Sequence, residues 1–173
     1  NAGNLERFAE GNGDTVTTVN QSANPDNVWW NYSYQHRRDI VVLHRGSMDM
    51  PAGYPLRLHF DSTTAPTAAE LCTATRTATP GNDFRIVYNY TTELNRQVKA
   101  FNCSEIDIWF ASQAAFAPSG SNTSSYKLYY GNAAAGAPPT NLLNIYAPGV
   151  DSATRALYHF EEDSGNVAVD LSG

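Results

Sequence analysis

The histidines are distributed singly along the chain of 173 residues, at His36, His44, His59 and His159. No two of them have the short spacing that places two imidazoles on one metal ion. The chain also lacks the Gly-x-Ser-x-Gly turn that presents a nucleophilic serine. The sequence therefore offers no hydrolase or metalloenzyme template, and we predict neither a cofactor nor a resident metal.

Carboxylates could supply a glycosidase pair, because such enzymes use two acidic side chains on either side of the scissile bond. The candidates are Asp39, Asp61, Asp107, Glu161 and Glu162. Their separations cannot be derived from sequence, and acidic side chains are mostly solvated at sheet surfaces. We therefore favour ordinary solvated acids and predict that the protein is not an enzyme.

Two further groups of side chains have a chemical and an ordinary interpretation. Asp163, Asn166 and Asp170 could offer oxygens to Ca²⁺, although turns rich in Asp and Asn usually form for backbone reasons. Lys127 could form an isopeptide crosslink to an Asn, but a strand lysine usually extends to water. We predict the ordinary outcome in both cases.

The cysteine count of two predicts one disulfide, between Cys72 and Cys103, in a chain of extracellular character. Closing this loop would stabilise the fold by about 3 to 4 kcal/mol. The alternative is a pair of buried thiols that act as small hydrophobic side chains.

Four aromatic residues are concentrated in one short segment, at Trp29, Trp30, Tyr32 and Tyr34. Aromatic faces stack on sugar rings, so these side chains could form a carbohydrate platform. The alternative is that they pack the apolar strand predicted at Asp39–His44 into the core, which we favour because exposed aromatic patches are uncommon.

The composition excludes several classes of partner. The net charge is −6, and the largest basic cluster is His36-Arg37-Arg38, so the chain has no electrostatic footprint for nucleic acid or anionic lipid. No apolar run is long enough to cross a bilayer. Charged residues make up only 16% of the chain. This polar, weakly charged composition favours an extracellular or cell-surface location.

Potential N-glycosylation sites point mildly in the same direction. The pattern Asn-x-Ser/Thr occurs at Asn20, Asn31, Asn89, Asn102 and Asn122. Several such patterns arise by chance in a chain rich in these residues. We predict that Asn122 is the best placed, in a loop over residues 118–125.

The elements that must position these side chains are mainly short strands. Alternating apolar residues predict strands at Leu56–Phe60, Phe84–Tyr90 and Ile106–Ala111, and an internal strand at Ser124–Tyr130 that ends at Gly131-Asn132. A capping box at Thr67-Ala68-Ala69-Glu70 predicts one short helix near residues 67–76. The fold class is therefore all-β, an antiparallel, jelly-roll-like β-sandwich.

Composition divides the chain into three parts. Residues 1–27 form an arm or linker with a short strand at Thr15–Val19, residues 28–146 form the sandwich, and residues 147–173 contain a linker and the first strands of a second β domain or an assembly strand. Two strands alone are marginal in water. We expect them to pair with the first sandwich, with missing sequence or with another molecule.

Five segments follow one another as in the bacterial domain-of-unknown-function family 2341. They are the aromatic opening from Trp30 to Ile40, Gly81-Asn82-Asp83-Phe84-Arg85-Ile86, Glu93–Arg96, Glu105–Phe110 and Tyr126–Ala133 with its Leu-Tyr-Tyr-Gly-Asn signature. Residues from about 28 to 146 therefore resemble that family, and residues from about 153 to 173 resemble the start of a laminin-G or concanavalin-A-like jelly-roll domain. The resemblance implies an extracellular β-rich module of a multidomain surface protein, without catalytic residues to transfer.

Two functions follow from these patterns. The first is a structural or adhesive module that adds strands to other copies of itself, or to neighbouring domains of the same polypeptide, in a surface filament or appendage. The alternative is a carbohydrate-binding module of a secreted protein, with glycans as its partners.

Overall fold

The computed structural model describes residues 15–20 and 28–146, with side chains in the first segment described at residues 16–18. It contains eight strands and two short helices. Their bounds are β1 Thr15–Asn20, β2 His36–Leu43, β3 Pro55–Phe60, α1 Ala68–Ala74, β4 Arg85–Tyr88, β5 Thr92–Glu93, β6 Arg96–Phe101, β7 Ile106–Ala111, β8 Ser121–Tyr130 and α2 Leu143–Tyr146.

Two antiparallel sheets form the sandwich. The five-stranded sheet has the order β1-β2-β8-β4-β5, and the three-stranded sheet has the order β3-β7-β6. The all-β prediction is confirmed, as is the short helix after Thr67. The sequence pattern missed β5, β6 and the single turn of α2. Within the described residues, neither helix is long and apolar enough to span a membrane.

The central strand of the larger sheet is β8, which pairs with β2 on one side and β4 on the other. Tyr126, Leu128 and Tyr130 face the other sheet, while Lys127 and Tyr129 face outward, and all five are buried. The strand ends at Gly131, whose φ is +85° and where a Cβ would meet the His36 ring at 2.8 Å. The predicted internal strand is confirmed.

The core lies between the two sheets. Its fully buried side chains alternate along the strands with outward-facing ones, as a sandwich requires. The larger members include Ile40, Leu56, Leu58, Leu71, Phe84, Ile86, Ile106, Ile108, Phe110, Tyr126 and Leu128.

A buried carboxylate joins three parts of the chain at one end of the core. Asp83 accepts hydrogen bonds from the Thr75 hydroxyl at 2.5 Å, the Arg76 amide at 2.9 Å and the Gly131 amide at 2.9 Å. These donors follow α1 and β8, and Asp83 itself precedes β4. Because each donor compensates for lost hydration, a carboxylate can be fully buried here.

Candidate functional site

The predicted aromatic residues lie on the outer face of the five-stranded sheet, where they form what we call the aromatic face. Trp29, Trp30 and Tyr34 surround Tyr129 of β8, with ring centroids 5.5, 5.7 and 6.0 Å from the Tyr129 ring. The Trp30 amide also donates to the Tyr129 hydroxyl at 3.1 Å. Both tryptophans are half-buried and Tyr34 is buried.

Tyr32 is different from its neighbours, because 78% of it is exposed. The four aromatic residues therefore do not share one role: three pack against the protein and one is exposed. Trp29, Trp30 and Tyr34 pack on the sheet, although in a cluster separate from the main core. Tyr32 projects into solvent at its margin.

Charged side chains lie beside and beneath the aromatic face. Lys127 is 1% exposed, pairs with Asp39 at 2.6 Å across β2 and β8, and donates to the Ser124 carbonyl at 2.6 Å. Its ammonium also lies 4.8 Å from the Tyr90 ring centroid. The prediction that Lys127 extends to water is therefore wrong, because a carboxylate, a carbonyl and an aromatic ring replace the water.

The buried Arg85 also lies between an aromatic hydroxyl and an acid. Its Nε donates to the Tyr34 hydroxyl at 2.9 Å, and its Nη1 lies 3.1 Å from the Glu93 carboxylate. Arg37 lies over the Trp29 ring, 4.6 Å from its centroid. Arg37, Arg85 and Lys127 each therefore lie against a ring or an acid, and with the aromatic rings they form a packed layer on the sheet.

The outer face of the three-stranded sheet carries a second group, which we call the charged cluster: Arg57, His59, Asp61, Glu105 and Asp107. Arg57 Nε lies 2.9 and 3.0 Å from the two Asp107 oxygens, and its Nη2 lies 2.8 Å from Oδ2. The His59 ring has Asp61 on its Nε2 side at 3.6 Å and Glu105 on its Nδ1 side at 3.8 Å.

The loop after β3 holds Asp61 in place. Its Oδ1 accepts hydrogen bonds from the Thr63 amide and hydroxyl, both at 2.7 Å, and from the Thr64 amide at 3.2 Å. The Thr63 hydrogen bonds are the main reason that the pKa of Asp61 lies below its usual value. Asp61 is therefore a fixed acceptor beside His59.

Among the candidate carboxylates that the structure describes, Asp39 lies apart from the other two. Asp39 lies on the outer face of the five-stranded sheet, and Asp61 and Asp107 lie on that of the three-stranded sheet, on the opposite side of the sandwich. Asp107 is only 7% exposed, so the expectation of a solvated acid is wrong for this residue. Its ion pair with Arg57 explains its burial.

The third notable site is a groove of about 630 Å³ between the 79–82 turn, β6 and the segment around Pro138. Arg96 borders it and donates to the Gly81 carbonyl at 2.7 Å, but is itself 2% exposed. Burial lowers the pKa of Arg96 to about 10. Sequence reasoning missed this residue, because an arginine that faces inward breaks the alternation of a strand.

The two cysteines lie at disulfide distance. The Cys72 and Cys103 sulfurs are 2.13 Å apart and join α1 to the turn between β6 and β7. The loop between them is thereby closed as the sequence predicted.

The potential glycosylation sites differ in position. Asn122 lies in β8 and not in a loop, because that strand begins at Ser121; its side chain accepts hydrogen bonds from the Ser124 and Ser125 amides. Asn89 and Asn102 are exposed in turns, and Asn31 is half-buried. The exposed turn positions are better placed for a glycan than Asn122.

Several predicted residues lie outside the described part of the chain. These are His159, Glu161, Glu162, Asp163, Asn166, Asp170, the side chain of Asn20 and the predicted second β unit at 147–173. Comparisons with protein-family models, with curated proteins and with solved structures found no match to this chain.

Proposed function

We propose that the chain is a non-enzymatic, extracellular structural or adhesive module, and that it associates with copies of itself by strand addition at the β1 edge of the five-stranded sheet. In this proposal, repeated addition builds a surface filament or appendage. Neighbouring domains of the same polypeptide are the other partners, in keeping with the resemblance to family 2341 and to a jelly-roll domain.

The observation that carries the proposal is the difference between β1 and the other edge strands. An edge strand presents unpaired amide and carbonyl groups, and natural sheets usually protect such an edge with charges, proline or short length. β1 reads Thr-Val-Thr-Thr-Val-Asn, with no charge and no proline. Among the described edge strands, β1 therefore carries the weakest protection against strand addition, although its side chains at Val16, Thr17 and Thr18 are buried.

The other edges of the described sheets are protected. β3 begins with Pro55 and carries Arg57, β6 carries Arg96 and Lys99, and β5 has only two residues. β1 nevertheless belongs to the fold, because Val16 is 1% exposed and joins the main core. A partner that pairs with β1 would thus extend an existing sheet.

An extracellular location is supported by the disulfide and by the exposed sites at Asn89 and Asn102. Disulfides persist in oxidising compartments and are rare in the cytosol.

The test is assembly as a function of concentration, followed by light scattering after gel filtration and by negative-stain electron microscopy. We expect the full chain to form oligomers or filaments. Lysines introduced at both ends of β1, as Thr15→Lys with Asn20→Lys, should weaken assembly at least about tenfold, because charges on an edge oppose strand addition.

The matched control adds the same two charges at exposed positions away from the edge, as Ala133→Lys with Ala134→Lys, and should assemble like the parent chain. If the chain stays monomeric at every concentration and forms no filaments, the proposal is wrong. Equal assembly of the edge variant and the control would also contradict it.

Carbohydrate binding is the second candidate function, and the aromatic face is the observation that favours it. The half-buried Trp30 and the exposed Tyr32 could together present ring surface to a sugar. The protein should then bind at least one class of glycan on an array. Tyr32→Ala should reduce the affinity of the protein for that glycan at least about fivefold without changing the melting temperature. An array without a retained glycan rejects this candidate.

A further inference from the structure

We infer that His59, Glu105 and Asp107 form a binding site for a first-row transition-metal dication of the Zn²⁺ class. The site lies within the charged cluster, on the outer face of the three-stranded sheet. It is independent of the proposed assembly through β1, which belongs to the other sheet.

The three side chains come from adjoining elements. His59 lies on β3, Asp107 is its direct partner on β7, and Glu105 precedes β7. One ligand atom from each lies within 4.8 Å of the others. Bonds of about 2.1 Å in a tetrahedral site place ligand atoms about 3.4 Å apart, so the ligand atoms must approach one another by up to about 1.4 Å.

Glu105 can supply this movement. Its side chain is 46% exposed, so a change of rotamer meets little resistance. His59 and Asp107 are fixed by the sheet, with side chains 11% and 10% exposed. Two preset ligands and one mobile ligand are a reasonable arrangement for an exchangeable surface site.

The orientation of the His59 ring favours metal binding through Nδ1. Asp61 lies on the Nε2 side, and three hydrogen bonds from Thr63 and Thr64 fix it there. Nε2 therefore faces a fixed carboxylate, and Nδ1 lies 3.8 Å from the movable Glu105 carboxylate. Metal-binding histidines commonly have this outer carboxylate, which fixes the tautomer and raises ligand basicity.

The charges also match a dication. Three carboxylates, Asp61, Glu105 and Asp107, and one guanidinium, Arg57, leave a net charge of −2 when His59 is neutral. Arg57 does not consume the binding capacity of Asp107, because a carboxylate has about four lone-pair positions. Arg57 instead fixes the orientation of Asp107.

The ligand set selects the kind of metal. Imidazole with carboxylates suits Zn²⁺ and its neighbours, whereas Ca²⁺ and Mg²⁺ prefer sites made of oxygen alone. Three protein ligands leave a coordination position for water or for a group on a second molecule. The half-exposed Glu105 keeps that position open to solvent.

The test uses the full chain after removal of metals by a chelator. We expect Co²⁺ to produce visible absorption bands that saturate at one equivalent, and Zn²⁺ to abolish them. His59→Gln and Glu105→Gln should each weaken binding at least about tenfold. Asp61→Asn should weaken it about 10- to 100-fold while the absorption bands keep their shape, since Asp61 acts through His59.

The matched control is His36→Gln, which removes an exposed histidine on the other sheet and should bind Co²⁺ like the parent chain. Glu105→Gln provides the decisive comparison if His59→Gln fails to fold, because the Glu105 side chain is half-exposed. Equal binding by the parent chain and Glu105→Gln would overturn the inference. The absence of saturable Co²⁺ binding by the parent chain below about 1 mM would overturn it too.

Discussion

The two outer faces of the sandwich carry similar ion pairs in different surroundings. On the five-stranded sheet, Asp39 pairs with Lys127, which is 1% exposed beside the aromatic face. On the three-stranded sheet, Asp107 pairs with Arg57, whose side chain is 20% exposed. Burial turns the first pair into a structural requirement, whereas the second lies in a cluster that solvent and ligands can reach.

The largest predicted effect comes from removing the acid of each pair. Asp39→Ala leaves the Lys127 ammonium buried without its carboxylate, and we expect a loss of about 3 to 5 kcal/mol in the free energy of unfolding. Asp107→Ala should cost less than this, because the Arg57 side chain that it leaves behind is nearer to solvent and retains Glu105 at 3.9 Å. Urea denaturation of both variants measures the difference, and equal losses would remove the contrast between the faces.

Removing the cation should cost less than removing the acid on the aromatic face. Lys127→Met fills a similar volume and leaves Asp39, whose side chain is 19% exposed, partly hydrated. We expect a loss smaller than that of Asp39→Ala, since the carboxylate left behind keeps some contact with water whereas the ammonium left by Asp39→Ala does not. If Lys127→Met lost as much stability as Asp39→Ala, the unpaired buried ammonium would not be the reason that Asp39→Ala is costly.

Stability at alkaline pH tests the tyrosines that are buried between the two sheets. Burial raises the pKa of Tyr126 and of Tyr130 above 10.0. The folded state therefore keeps its phenol protons longer than the unfolded state, and this stabilisation is present below pH 10 and lost as the pH rises through the folded pKa. The melting temperature should fall gradually above pH 10, and Tyr130→Phe should make that fall less steep. An equally steep fall in Tyr130→Phe would contradict the assignment.

Raising the salt concentration should produce the smallest of these effects. It should change the stability cost of removing the acid only on the three-stranded sheet. The cost of Asp107→Ala should shrink by a few tenths of a kcal/mol when NaCl is raised from 0.1 to about 1 M, because the Debye length falls from about 10 to 3 Å. The cost of Asp39→Ala should stay the same, because buried pairs are screened much less. Denaturation curves at the two salt concentrations test this, and identical salt responses would count against it.

Local patterns were sufficient for much of the fold. Alternation in β3, β7 and β8 and the capping box at Thr67 are set by neighbouring residues, so the sequence reveals them. β6 was missed because Arg96 faces inward and the register shifts between Val98 and Ala100, which together break the period of two. β5 and α2 are too short to show any period.

The charged cluster could not be predicted, because it depends on strand register. His59 and Asp107 are far apart in sequence and become partners only when β3 pairs with β7. A shift of one residue would send each side chain to the opposite face. No pattern within β3 or β7 alone reports that register.

The sequence by itself determined the all-β class, the capped helix and the central strand, because each depends on contacts between residues close in the chain. Tertiary structure alone decided which charges are buried. Lys127 and Arg57 are both cations on strands, yet one is enclosed by Asp39, Ser124 and Tyr90 and the other remains near water. The physical reason is that the burial of a charge depends on which side chains from other parts of the chain pack over it.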